Sequence, residues 1–306
     1  MIDGIINVYK ESGYTSFDVV SKIRGILKQK KIGHTGTLDP MAEGVLIICL
    51  GKATKLVDML ITSTKEYSAS MKLGITTDTE DITGEKLSES DSWNKLSDEA
   101  VINAIESFVG SYEQLPPMYS AIKKDGKKLY EYARQGIVVD REKRPVEILA
   151  INDISVDMPD VYFTVKCSKG TYIRSLCRDI GDKLGCGAVM SGLIRNELHG
   201  MCADEAYRLK DIERLRDEDR LSECIIPIDR LLRDYRMINV RKSASKLLSN
   251  GNKLLTKSFK ECDTDKKDVI IPKSDEIFRV YDDDRMLALY RYNSDEDIFV
   301  PYKMFL

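Results

Sequence analysis

The hydrophobic pattern of this chain changes period repeatedly before residue 74, and that succession limits the fold more than any other feature. Between Ser16 and Lys28, Val19, Val20, Ile23, Ile26 and Leu27 share one helical face, with Thr15 or Ser16 available as N-cap. Val45-Leu46-Ile47-Ile48-Cys49-Leu50 is instead an unbroken apolar run, the pattern of a strand buried on both faces. From Glu66 to Leu73 the pattern alternates, so that Tyr67, Ala69, Met71 and Leu73 point one way and Ser68, Ser70 and Lys72 the other. A helix feeding a buried strand and then a half-buried one calls for helices packed on a sheet. It also leaves His34-Thr35-Gly36-Thr37-Leu38-Asp39-Pro40 as a loop entering a sheet, a place where chemistry tends to sit.

The same signals continue downstream. Ser97 opens a helix with Asp98 and Glu99 in its first turn and Val101, Ile102, Ile105, Phe108 and Val109 as its stripe, ended by Gly110. Val161 to Cys167 reads as a strand that runs through Ser168-Lys169-Gly170-Thr171 into a helix built on Ile173, Leu176, Cys177, Ile180 and Leu184, with Arg174 in its first turn. Met118 to Arg144 is basic, rich in tyrosine and lacks a deep core, which suits a substrate-facing insertion at about 118–145. The charged segment from Arg208 to Arg220 and the region around Pro227 mark a transition near Leu232. The expected division is therefore 1–231 and 232–306, the second unit small and β-rich, with Phe278 to Tyr281 and Met286 to Tyr292 flanking an acidic turn.

Composition narrows the function classes. With 42% hydrophobic and 32% charged residues, the chain has the balance of a globular protein rather than a disordered one. No secretion leader is visible at the amino terminus and no apolar run approaches the roughly 18 residues of a membrane span, so a cytoplasmic protein is expected. Seven cysteines are scattered without a Cys-x-x-Cys pair, pointing to reduced thiols, and two histidines cannot assemble the usual zinc spacings, so no metal is expected. A net charge of -3 does not advertise nucleic acid. Local clusters do: Lys22, Arg24, Lys28, Lys30 and Lys31 form one, and Lys123, Lys124, Lys127, Lys128, Arg134, Arg141, Lys143 and Arg144 a second, while acids gather elsewhere, from Asp78 to Asp91 and Asp282 to Asp284.

On the residues alone, Asp39 is a carboxylate before a proline in a Gly- and Thr-rich loop, a pattern that also starts ordinary turns. Arg174 is one candidate cation for it. A paired-carboxylate mechanism would need a second acid nearby, and Glu43 is the nearest in sequence.

Taken together these segments resemble the bacterial TruB family of tRNA pseudouridine synthases. The strongest piece is Gly33-His34-Thr35-Gly36-Thr37-Leu38-Asp39-Pro40, followed by Gly44-Val45-Leu46, Leu50-Gly51-Lys52-Ala53-Thr54-Lys55 and Lys65-Glu66-Tyr67. Pro116-Pro117-Met118-Tyr119-Ser120-Ala121-Ile122-Lys123 and Cys167-Ser168-Lys169-Gly170-Thr171-Tyr172-Ile173-Arg174 extend it over most of the chain. The resemblance implies an α+β fold: a catalytic domain of pseudouridine synthase type with a mixed, mostly antiparallel sheet, and a small β-rich, PUA-like C-terminal domain. It implies isomerisation of uridine 55 in the T-loop of tRNA, without cofactor, by a monomer that needs no guide RNA. It makes Asp39 the nucleophile, Arg174 its ion-pair partner that keeps it ionised, Tyr67 the ring stacked on the target base, His34 a holder of the flipped nucleotide and Leu193 an apolar wall. Lys123, Lys127, Lys128 and Arg134 would grip tRNA, and the C-terminal unit would contact the acceptor stem. Asn196-Glu197-Leu198-His199-Gly200 departs from the family's usual Thr- and Arg-containing stretch. A guide-dependent synthase of the same fold, and a non-catalytic RNA-binding protein, are the alternatives.

Overall fold

A computed structural model describes residues 1–61, 64–261 and 270–306. Its centre is a mixed sheet. Across it run Gly4–Lys10, Glu43–Leu50, Ala188–Leu198, Lys65–Leu73, Asp160–Cys167, Arg144–Asp157 and Gly110–Gln114, in that spatial order. Every pairing is antiparallel except one, where Ile194 and Arg195 lie parallel to Glu43 and Gly44. That parallel contact is short because Glu43–Leu50 then leaves Ala188–Leu198 and pairs with Ile32–His34 instead, so the sheet forks. The chain from Thr35 to Ala42 fills the fork.

Each strand pattern is explained by what it faces. Tyr67, Ala69, Met71 and Leu73 are buried with Val161, Phe163 and Val165 under the helices Asp98–Glu106 and Ile173–Leu184. In Glu43–Leu50, Leu46, Ile48 and Leu50 pack on the helix Ser16–Leu27, whereas Val45, Ile47 and Cys49 face the opposite way, onto Leu289 and Phe305. Burial on both faces is why the run is uninterrupted. The helix Ser16–Leu27 is started by a capping box between Thr15 and Asp18, worth ~1 kcal/mol. Burying Val19, Val20, Ile23 and Ile26 contributes roughly 1.5–3 kcal/mol per side chain, so packing rather than the cap holds it.

A second sheet, ordered Arg236–Asn239, Ile277–Asp282, Arg285–Asn293, Ile298–Met304 and Leu254–Leu255, closes over its own core of Phe259, Phe278, Tyr290 and Phe299. Its first strand in the chain begins at Arg236.

Some expectations need correction. The helix after Ser97 ends at Glu106, Val109 is exposed, and Gly110 opens a strand rather than stopping the helix. The acids from Asp78 onward are not set apart: Asp78 accepts from the Tyr119 hydroxyl at 3.1 Å, and Asp81 reaches Arg174. The six described cysteines are free thiols, and Cys262 lies outside the described residues. Among the described residues no cluster of potential ligands suits a metal ion, and no helix is long and apolar enough to cross a membrane.

Candidate active site

The loop carrying Asp39 is held from several sides. Leu38 N–H donates to Ser16 Oγ at 2.9 Å, Gly13 N–H to Pro40 O at 2.9 Å and Ala42 N–H to Asp39 O at 3.1 Å. Lys10, fully buried at the end of the first strand, donates its ammonium to Ala42 O at 2.5 Å and Pro40 O at 3.1 Å. Burial pushes this lysine down to about 8, against the pull of Asp39 and Glu43. The loop can rejoin the sheet only through Gly44, whose φ is +99° and where a Cβ would stand 2.3 Å from Arg195 O.

Arg174 comes from the opposite side. Its helix is placed by a reciprocal pair in which Tyr172 N–H donates to Gln114 Oε1 and Gln114 Nε2 to Tyr172 O. Arg174 Nε meets Asp39 Oδ2 at 3.0 Å and Nη2 donates to Asp39 Oδ1 at 3.2 Å, a two-pronged pair. Its remaining donors go to Thr79 O at 3.0 Å, Tyr119 O at 2.9 Å and Asp81 Oδ2 at 3.6 Å. Each nitrogen of the guanidinium is thus engaged.

The pairing acts on Asp39 in the expected direction, but burial outweighs it. Burial raises the Asp39 carboxyl above its usual range; Arg174 opposes this, Asp81 reinforces it and Lys10 opposes it. The carboxylate is aimed by Arg174 but held at elevated energy by its surroundings.

Asp39 and Arg174 stand where two cavities meet. One, of about 460 Å³, is lined by Asp39, Tyr67, Leu193, Arg195, Tyr119 and Tyr172 among others. The second, of about 550 Å³, runs past Ser12, Gly13, Asp81, Tyr130 and Arg134. The first brings Asp39, Tyr67, Arg174 and Leu193 together. Burial raises the Tyr67 phenol, and Arg195 works against that rise. His34 stands outside the cavity walls, its Nδ1 accepting from Gly36 N–H at 3.4 Å, and burial lowers its imidazole. Lys123 and Lys127 are exposed on a short hairpin, Lys128 Nζ lies 5.4 Å from the Tyr130 ring centre, and Arg134 stacks over the same ring at 5.2 Å.

Sequence reasoning passed over Lys10, Asp81, Tyr119 and Arg195. Only Lys10 carried a local signal, a lysine closing an apolar strand. The others reach the site through sheet register and loop packing.

Comparisons with known proteins place the chain in a family. Residues 24–173 match the model for the TruB family pseudouridylate synthase N-terminal domain, and 174–233 that for the tRNA pseudouridylate synthase B C-terminal domain. The junction of the two matches falls inside the helix Ile173–Leu184, and the strand Ala188–Leu198 belongs to the central sheet. The chain is 47% identical to tRNA pseudouridine synthase B of Clostridium tetani, over 94% of this chain and 95% of that one. It is also 47% identical to the protein of that name from Lachnoclostridium phytofermentans, with full coverage of both. Among solved structures it matches a chain of a Cbf5-Nop10-Gar1 complex with a TM-score of 0.72 and 27% identity, covering 99% of this chain and 85% of that one. This protein is a member of the TruB family of pseudouridylate synthases.

Proposed function

We propose that the chain converts uridine 55 in the T-loop of tRNA to pseudouridine, with Asp39 as the nucleophile. The observation that carries this reading is the two-pronged Asp39–Arg174 pair opening onto a cavity that also holds Tyr67 and Leu193. The reaction detaches the base from C1′, turns it and rejoins it through C5, so the site must aim one carboxylate and keep the freed base from solvent. Asp39, raised by burial, is a stronger nucleophile than a solvated carboxylate once ionised. Tyr67 stacks on the base and receives the C5 proton, Leu193 bounds the ring, and His34 holds the T-loop with its nucleotide flipped out, at a cost of a few kcal/mol in unstacking.

The insertion at about 118–145 presents Lys123, Lys127, Lys128 and Arg134 to tRNA phosphates, and 232–306 acts as a PUA-like module on the acceptor stem. The enzyme works as a cytoplasmic monomer without metal, cofactor or guide RNA. The match to a chain of a Cbf5-Nop10-Gar1 complex is one of fold at 27% identity, whereas the relatives of higher identity carry the name tRNA pseudouridine synthase B, which favours the tRNA reading over a guide-dependent one. Asp81, and not Glu43, is the acid brought to Arg174, so a carboxylate pair built on Glu43 gains no support.

The test is an unmodified tRNA transcript incubated with purified protein alone, followed by carbodiimide labelling and primer extension. A stop at position 55 is expected, and its absence without guide RNA would reject the tRNA reading.

A further inference from the structure

Arg195 heads the fully enclosed side chains by volume, with 1% of its surface exposed. It stands on Ala188–Leu198 directly opposite Tyr67 on Lys65–Leu73, at the point where the sheet forks. Its Nε donates to Val45 O at 2.7 Å and its Nη2 to Gly36 O at 3.4 Å, one carbonyl on either side of Asp39 in the chain. Its third contact is with the Tyr67 side chain. One guanidinium therefore spans the loop that carries the carboxylate and the ring across the cavity from it.

Its charge is the telling feature. Arg174 pairs with Asp39 and Asp81, and Arg178 with Glu80 and Asp179, but among the described residues no carboxylate pairs with Arg195. Burying a guanidinium without a counter-ion is expensive, and an apolar residue would fill the space at less cost. A field that nothing neutralises locally acts on its neighbours: Arg195 contributes to the lowering of Lys10, His34 and Lys65 and opposes the rise of Tyr67. The side chain also forms part of the cavity wall, so this field reaches the space where the base turns.

We propose that Arg195 is a positioning residue for the isomerisation, fixing Tyr67 relative to the Asp39 loop and supplying the positive charge that favours an anionic Tyr67 oxygen. In the final step that oxygen takes the proton from C5, the electron pair of the broken C–H bond forms C5=C6 while the C6=N1 pair shifts onto N1, and N1 takes a proton from water; Tyr67, left as a neutral phenol, returns its proton to the hydroxide so formed. This inference rests on the reading in which Tyr67 receives the proton.

The test is a double-mutant cycle of Arg195→Met with Tyr67→Phe, measured as single-turnover rate at saturating enzyme, with tRNA affinity and melting temperature followed in parallel. In the Tyr67 background Arg195→Met is expected to slow turnover about 100-fold while affinity changes less than about twofold. In Tyr67→Phe the same change is expected to cost less than about threefold, because its route of action is already gone. Arg195→Lys, which keeps the charge but loses the fork, is expected to recover about tenfold of the loss. Equal losses in both backgrounds, or a lysine variant no better than methionine, would overturn the inference. An inactive Tyr67→Phe beside a fully active Arg195→Met overturns it alone, whereas a fully active Tyr67→Phe overturns the reading of Tyr67 and this inference with it. If Arg195→Met does not fold, the cycle is run with Arg195→Lys, where the same non-additivity is required.

Discussion

Two arginines one turn apart on the helix Ile173–Leu184 grip the same acidic segment and end in different chemistry. Arg178 pairs with Glu80 and Asp179 and donates to Leu115 O at 3.0 Å, while Ser175 Oγ donates to the other oxygen of Glu80 at 2.7 Å. Burial alone would lower Arg178, but Glu80 and Asp179 outweigh it and hold the guanidinium above its ordinary value. Arg174 pairs with Asp81 from that segment and with Asp39 from a distant loop, and the side chain of Asp39 is 33% exposed to the cavities against 10% for Glu80. Both pairs are charge-assisted and partly buried, so pairing is not what marks a site. The difference lies in where the carboxylate's free side faces: Glu80 is closed in on every side, and Asp39 is left facing space that a substrate can enter.

Substitutions at the two carboxylates should separate accordingly, and the largest effect is expected at Asp39. Asp39→Asn should lower single-turnover rate by at least about 1,000-fold, since it removes the nucleophile. It should not lower the melting temperature. Because the folded-state carboxyl is raised above its unfolded value, the stability it contributes is fully present below the usual carboxylate range and lost as pH rises through the elevated value. Near neutral pH the ionised Asp39 therefore strains the fold, and the asparagine variant should melt at the same temperature or higher, with the advantage shrinking as pH falls. A melting temperature that drops at pH 7 and not at pH 4 would break the comparison.

The next effect is at the partner. Arg174→Lys keeps the charge but cannot make the two-pronged contact while also serving Thr79 O and Tyr119 O, so turnover should fall about 100-fold with tRNA affinity little changed. Glu80→Gln should do the reverse. Loss of the Arg178 pair is expected to cost about 2–4 kcal/mol in denaturant unfolding, while the folded variant turns over within about threefold of wild type. If Glu80→Gln lost turnover without losing stability, the closed pair would be part of the machinery.

How much of this contrast is legible in sequence follows from how local each determinant is. The helix Ser16–Leu27 and the strand Lys65–Leu73 announce themselves because cap, stripe and alternation are all nearest-neighbour patterns. The 14-residue strand Arg144–Asp157 does not, because its burial is irregular and broken by bulges against Asp160–Cys167. On the residues alone Arg174 is one candidate cation and its motif is what singles it out, whereas Arg178, Asp81 and Arg195 carry no such signal. Their roles are set by a fork in the sheet and by a loop 93 positions away in the chain, at Asp81 against Arg174, distances that no periodicity encodes. The raised Asp39 carboxyl was likewise hidden: an arginine partner argues for a lowered one, and only the enclosing geometry shows that burial outweighs it.

The smallest expected effect extends the comparison to cations with no anion at all. Lys127 and Lys128 have no carboxylate partner among the described residues; they lie near the rings of Tyr132 and Tyr130, at 5.8 and 5.4 Å. If their missing counter-ions are tRNA phosphates, reversing both charges should weaken binding about tenfold at moderate salt and flatten the plot of log affinity against log salt by about 1.5. Single-turnover rate at saturating enzyme should stay within about twofold, because neither lysine lines the cavity with Tyr67. A reduced rate with an unchanged salt slope would mean that the hairpin orders the site rather than the RNA, and the lysines would then belong with Arg178 as parts of the scaffold.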